Sequence, residues 1–387
     1  MARHATTGPR GVAAPADVGA LLRRMPKAEL HLHLDGSLRP ATALELARER
    51  GFDAGLDLPG MRSRLAGPAQ AANQAELLRA FDLPIALLQD RESLRRVTAE
   101  LVEDVAADGT RYVEIRWAPA LHVQRGLPLD AAIAAVVAGA RDGVGAVVRR
   151  AAVASPAPTT SERAISDAGA LPPLTVRLIA VAMRTHAPEA NVAVAEAAAR
   201  FTGAWLTGFD LAGPEAARPD PRLHARAIEA ARAAGLAITV HAGEWGGAAQ
   251  VRRALALRPA RIAHGTPAID DPALVADLRE RGVTLDLCPT SNVQAAIVPR
   301  LADHPLPLLL RAGVPVTLST DDRTVSAVTL VEEYRRALDE LGLTLSELWR
   351  VDRHALEAAF LWDDEALRAR LLAAFDAFAA AEPLLHT

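Results

Sequence analysis

One cysteine, one lysine and an aromatic content of 4% mark what this 387-residue chain lacks. The lone Cys288 excludes an intramolecular disulfide framework and fits a reducing compartment. No field of one charge sign is present: the formal net charge is −4, so no basic surface is expected to attract nucleic acid. A run of about 18 apolar residues is also missing, and no membrane-spanning helix is expected. Met1–Asp17 has no apolar h-region, and residues 1–20 read as a flexible tail rather than a secretion signal. These features predict a soluble, cytoplasmic protein with neither a nucleic-acid nor a membrane partner. Its length suits one α/β barrel over residues 21–387.

Short β-rich runs alternate with longer Ala/Leu/Glu/Arg segments of helical character. The strand-like runs are Ala28–Leu34, Arg111–Trp117, Thr175–Met183, Trp205–Leu211, Ala237–His241, Arg261–His264, Val283–Leu287 and Val314–Ser319. Eight strands alternating with helices predict a parallel sheet, and eight is the number that closes into a (β/α)8 TIM barrel. An open doubly wound sheet is the competing architecture, but no GxGxxG follows the first strand. Two regions break the alternation. After strand 1 comes a long excursion, Ala41–Asp90, with a Gly/Pro-rich stretch at Gly51–Pro68; it is expected to act as a helical lid. Ser155–Pro173, rich in Ser, Thr, Pro and Ala, reads as an exposed insertion.

In such a barrel the chemistry sits at the C-terminal ends of the strands. The reactive side chains fall there: His31 and His33 with Asp35, Asp210, His241 and Glu244, His264, Cys288, and Asp321 with Asp322. His31 and His33 are two apart on a strand, so their imidazoles face the same way, as two ligands of one metal must. His241 offers a third imidazole and Asp321 a carboxylate. This ligand set suits Zn2+, one per chain, with another divalent transition metal as an alternative. The HxE…PCxxC zinc-deaminase plan is excluded by the single cysteine. Cys288 is therefore structural or adjacent to the site, not a nucleophile. Glu244, in a closed apolar mouth, is expected to hold a proton and donate it. His264 is expected to hold a water or accept its proton.

Together these motifs resemble the adenosine and AMP deaminase family of metal-dependent amidohydrolases. The matching elements are PKAELHLHLDGS (Pro26–Ser37), YVEIRWAP (Tyr112–Pro119), GFDLAGPE (Gly208–Glu215), HAGE (His241–Glu244), HG (His264–Gly265), CPTSN (Cys288–Asn292) and STDD (Ser319–Asp322). The resemblance implies His31, His33, His241 and Asp321 as metal ligands. It implies Glu244 as the acid that protonates purine N1, and His264 as the group that orients and deprotonates the attacking water. Asp322 matches the acceptor facing N7, Gly213 the backbone donor to N3, and Asp35 the contact to a sugar hydroxyl. The implied reaction is hydrolytic deamination of a 6-aminopurine nucleoside, adenosine or 2′-deoxyadenosine giving the inosine product and ammonia. A modified adenosine (aminodeoxyfutalosine-like or N6-substituted) or adenine is the alternative substrate. One departure is Pro214, where relatives that deaminate adenosine commonly carry an acidic residue. The resemblance says nothing of oligomeric state.

Two other readings compete. Barrel hydrolases of cyclic amides or phosphoesters commonly bridge two metals with a carboxylated lysine on strand 4, but Lys27, before strand 1, is the only lysine here. A barrel kept only for purine binding predicts a lost ligand or a lost acid, and neither is lost.

Overall fold

Packing of the alternating segments yields a closed barrel in the computed structural model, which describes residues 15–52, 55–154, 173–203 and 205–386. Its strands are β1 (Lys27–His33), β2 (Thr110–Trp117), β3 (Thr175–Met183), β4 (Leu206–Ala212), β5 (Ala237–Ala242), β6 (Arg261–His264), β7 (Thr284–Leu287) and β8 (Val316–Leu318). Each pairs in parallel with the next in sequence order. Closure comes at the catalytic end. Beyond β8, Asp321 bridges Leu32, its N–H donating to the His31 carbonyl at 3.0 Å and its carbonyl accepting from the His33 N–H at 2.7 Å. The eight expected runs are all present as strands, with no end shifted by more than two residues, and such shifts fall where hydrogen-bonded ladders fray.

The helices in order are α1 (Pro15–Arg24), α2 (Pro40–Arg50), α3 (Leu58–Leu65), α4 (Gln74–Leu78), α5 (Asp82–Leu87), α6 (Arg91–Ala107), α7 (Leu129–Ala154), α8 (Pro188–Ala199), α9 (Ala225–Ala233), α10 (Gly247–Ala254), α11 (Pro272–Arg281), α12 (Pro289–Gln294), α13 (Leu306–Arg311), α14 (Leu330–Asp339), α15 (Leu345–Ala358) and α16 (Glu365–Ala381). Three expectations need correction or placing. The stretch expected as a tail is helical from Pro15, because Leu21 and Leu22 on α1 bury against the barrel; residues 1–14 lie outside the described residues. The Gly/Pro-rich stretch Gly51–Pro68 contains α3, since Asp57 caps its N-terminus through the Gly60 N–H and Pro59 occupies its first turn, where no backbone donor is needed. The expected insertion falls almost wholly on residues 155–172, outside the described residues.

Helix α7 is long and apolar enough to cross a membrane by composition, with a mean hydropathy of 1.6. In the fold it lies between β2 and β3 and packs along α6. Gly139 and Gly143 permit the approach: a Cβ on Gly139 would lie 2.3 Å from the Arg95 carbonyl oxygen, and one on Gly143 would lie 2.6 Å from the Cβ of Val102. Its apolar face is therefore spent on a neighbouring helix.

The barrel interior is charged where side chains of β2, β4, β6 and β7 meet. Arg116 donates to Asp210 at 2.8 Å and to the Leu30 carbonyl, and Arg261 joins Asp286 at 3.0 Å with Glu114 and stacks on Phe360. All these charged groups are buried. Buried ion pairs contribute little net stability but fix geometry, and here they brace the floor below the catalytic mouth.

The segment beyond Asp322 folds back as α14–α16. Thr329 and Thr344 each open a helix with a reciprocal capping box, to Glu332 and Glu347. Glu333 on α14 is buried against the Thr290 N–H, and burial pushes its carboxyl up to about 7. A carboxyl with a raised folded pKa keeps its proton while the unfolded chain has lost it, so its contribution falls as pH rises from about 4.5 to about 7. Replacing it with a group that does not titrate removes that loss. The difference in Tm between Glu333→Gln and the parent chain is expected to move in the variant's favour across that window, as thermal melts at a series of pH values will read.

Candidate active site

The ends of β1, β5 and β8 bring His31, His33, His241 and Asp321 together. Their ligand atoms all lie within 4.8 Å of one another. The Nε2 atoms of His31 and His33 are 3.3 Å apart, those of His33 and His241 3.2 Å, and Asp321 Oδ1 is 3.0 Å from His31 Nε2 and 3.4 Å from His33 Nε2. The backbone is strained to achieve this. Asp321 (φ 65°) and His264 (φ 62°) both adopt left-handed conformations that non-glycine residues avoid. Gly36 is required at the same corner, because a Cβ there would fall 1.7 Å from Asp322 Oδ1.

Electrostatics prepare His31, His33 and Asp321 for a cation. Burial lowers His31 well below the ordinary imidazole value and His33 to about 4, so both rings are neutral and offer lone pairs. Burial alone would raise Asp321, but His31, His264 and His33 outweigh it and hold that carboxylate well below its usual range. Three converging Nε2 atoms cannot satisfy one another, since each close pair can share only one hydrogen. A divalent metal accepts all three lone pairs and the carboxylate, so the donor set fits the metal the sequence implies.

The surrounding shell fixes how each ring points. Asp210 at the end of β4 lies 2.9 Å from His241 Nδ1, the carboxylate–imidazole arrangement that turns Nε2 toward a metal. Arg116 in turn holds Asp210. Ser291 Oγ donates to Asp321 Oδ2 at 2.7 Å. Asn292 Nδ2 donates to His264 Nδ1 at 3.0 Å, while its Oδ1 accepts from Thr266 and His304. The sequence motifs contain Arg116, Ser291, Asn292 and Asp210 but by themselves give none of them a role. The signal was available for Arg116: a charge inside a strand-like run must be paired to be buried.

Glu244, expected as the acid, follows β5 in the turn before α10. Burial raises its carboxyl to about 7; His241 works against this, while Asp321 and Glu215 add to it. It stands 4.0 Å from His264 Nε2, which is itself 3.8 Å from Asp321 Oδ2. Asp322 is pushed well above its usual range by burial and by Asp321, Asp35 and Glu244. Asp35 is held low: burial opposes this, but His122, 3.8 Å away, and His33 prevail. Gly213 closes β4 with φ 96°.

These groups line one cavity of about 280 Å³, just below the usual range for small-molecule sites. Its outer wall is the excursion after β1: Leu77, Leu78, Phe81 and Ile85 face the same space as Glu244 and Asp322. Leu77 and Phe81 also pack with Trp245, Ala295 and Val325, so the lid rests on the loops that carry the site.

A parallel eight-stranded barrel with three imidazoles and a carboxylate at its mouth defines a metal-dependent hydrolase of the amidohydrolase type. The adenosine deaminase family model matches residues 26–377. Adenosine deaminase of Mycobacteroides abscessus is 38% identical over 360 residues, covering 89% of this chain and 93% of that protein. An amidohydrolase from Burkholderia ambifaria, solved with bound zinc, superposes with a TM-score of 0.78 at 26% identity, over 96% of this chain and 97% of that one. The N6-methyl-AMP deaminase from Arabidopsis thaliana gives a TM-score of 0.77 at 26% identity, over 94% and 100%. The chain belongs to the adenosine deaminase family and is a metal-dependent hydrolytic deaminase.

Proposed function

We propose that this chain deaminates adenosine and 2′-deoxyadenosine, using one zinc ion held by His31, His33, His241 and Asp321. The observation that carries the reading is Glu244: a carboxyl raised to about 7 by burial, set beside that ligand cluster. Such a group keeps a proton to give near neutral pH.

When bound, the metal supplies Lewis acidity that brings the pKa of a water down to about 7. The chain's own residues do the rest. Glu244 donates to purine N1, drawing electrons from C6 and opening it to attack by water. The Gly213 N–H meets N3, and Asp35 meets a sugar hydroxyl. His264 accepts at Nδ1 from Asn292, so its neutral ring carries hydrogen on Nε2. In that state it orients the water by donating; taking a proton at Nδ1 would sacrifice the Asn292 bond. Asp322 faces N7. N7 offers a lone pair, so the carboxyl complements it as a protonated donor rather than in the acceptor role expected from the sequence. Of the water's two hydrogens, one leaves C6 with the amino group as ammonia and the other returns to Glu244, whose own proton stays on N1, so adenosine plus water become inosine plus ammonia.

A nucleoside is favoured over a nucleotide by the charge of the cavity. Apart from the proton-bearing Glu244 and Asp322 and the ligand Asp321, two acidic residues, Asp35 and Asp82, line it, with no arginine or lysine among the described residues. A 5′-phosphate there would meet like charge and no partner, a cost of several kcal/mol. Adenosine turnover, followed by its ultraviolet shift and ammonia release, is expected to exceed that of AMP by about 100-fold or more in kcat/KM. Equal rates on AMP would reject the nucleoside assignment. No turnover of any 6-aminopurine by metal-loaded protein would reject the function.

A further inference from the structure

We infer that Glu215 is a positioning residue whose carboxylate locks the turn bearing Glu244, and so sets the spacing between the purine N1 donor and the N3 contact. It touches neither metal nor substrate cavity. It leaves β4 two residues after Gly213 and is buried. Both carboxylate oxygens are spent on the turn after β5. Oε1 accepts from the Gly243 N–H at 2.7 Å, and Oε2 accepts from the N–H groups of Trp245 and Gly246 at 2.9 and 2.5 Å. The donors flank Glu244 on both sides.

The turn needs such an anchor. Its chain bends at Gly243 (φ 82°) and again at Gly247 (φ 64°), where the backbone has most freedom. Three charge-assisted hydrogen bonds to one rigid acceptor remove that freedom. The acceptor is itself restrained: Pro214 fixes the backbone φ directly before it, which gives this departure from the family pattern a physical use. Arg184, buried at the end of β3, holds the other side of the same segment by donating to the His241 carbonyl at 2.9 Å. Gly213 and Glu215 are two residues apart. One short segment therefore carries the N3 contact and the anchor of the N1 acid.

The inference rests on the deaminase reading, and the test separates the two. Glu215→Gln retains size but turns an amide NH2 toward backbone donors. It is expected to lower kcat for adenosine by about 100-fold, as misplacing a reacting group by about 1 Å does, with KM changed by no more than about threefold. Metal content should stay near that of the parent chain, while Tm should fall by a few degrees because the amide leaves buried backbone donors unpaired. Binding of 1-deazaadenosine, which has no N1 lone pair for Glu244 to serve, should be unchanged. Glu215→Asp keeps the charge with a shorter reach, should restore part of the rate, and decides the matter if the glutamine variant does not fold. A kcat within about twofold of the parent in the soluble variant, or a rate loss matched by equal loss of metal or 1-deazaadenosine binding, overturns the inference. A parent chain that deaminates no 6-aminopurine instead overturns the reading beneath it.

Discussion

Glu244→Gln is expected to lower kcat by about 10²–10⁴-fold while metal content and thermal stability stay close to those of the parent chain. The amide matches the carboxylic acid in size and still donates a hydrogen bond, so N1 stays solvated by the site. It cannot release a proton, so C6 gains only a fraction of the electrophilicity that full protonation of N1 supplies. The native carboxyl is held near 7 by burial, which makes it a usable acid at neutral pH, and the variant has nothing that titrates there. Steady-state kinetics with adenosine give the first number and elemental analysis the second. A variant with near-normal kcat would remove Glu244 from proton transfer. A variant that lost metal as well would make it part of the ligand shell.

His241→Ala should do the opposite, losing metal first and activity as a consequence. Removing a partner that merely orients a ligand commonly weakens metal binding by about 10–100-fold, and removing the ligand itself costs more. The loss is aggravated by what remains. Asp210, held by Arg116 and facing His241 Nδ1 at 2.9 Å, would keep its negative charge in a buried cavity with its imidazole partner gone. Substoichiometric metal after dialysis, with rate restored in proportion to added zinc, is the expected result. Full metal occupancy in the variant would take His241 out of the ligand set.

The architecture was legible because a barrel repeats one pattern. Each buried parallel strand reads as a short apolar run, each covering helix as a longer amphipathic one, and closure needs only the count. The candidate ligands were legible because His31 and His33 share a strand face and the others end strands. What the sequence hid was mostly local turn chemistry and long-range pairing. Helix α3 was obscured by Gly and Pro, yet Asp57 and Pro59 are helix-start signals. Helix α1 was masked by an Ala/Gly/Pro lead-in. Asp210, Arg116 and Asn292 act on partners 31, 94 and 28 residues away, respectively, and no spacing rule links such pairs before the barrel closes. The state of Asp322 was hidden for a related reason. Its carboxyl is pushed up by burial first and then by three other carboxyl groups brought near it by folding, which no local motif records.

Anomalous diffraction at the zinc edge, from crystals grown with the metal, locates the ion itself. A single strong peak per chain is expected about 2.0–2.2 Å from the Nε2 atoms of His31, His33 and His241 and from a carboxylate oxygen of Asp321. A zinc-loaded, active protein whose peak lies elsewhere, or whose four side chains hold no ion, would contradict that ligand set.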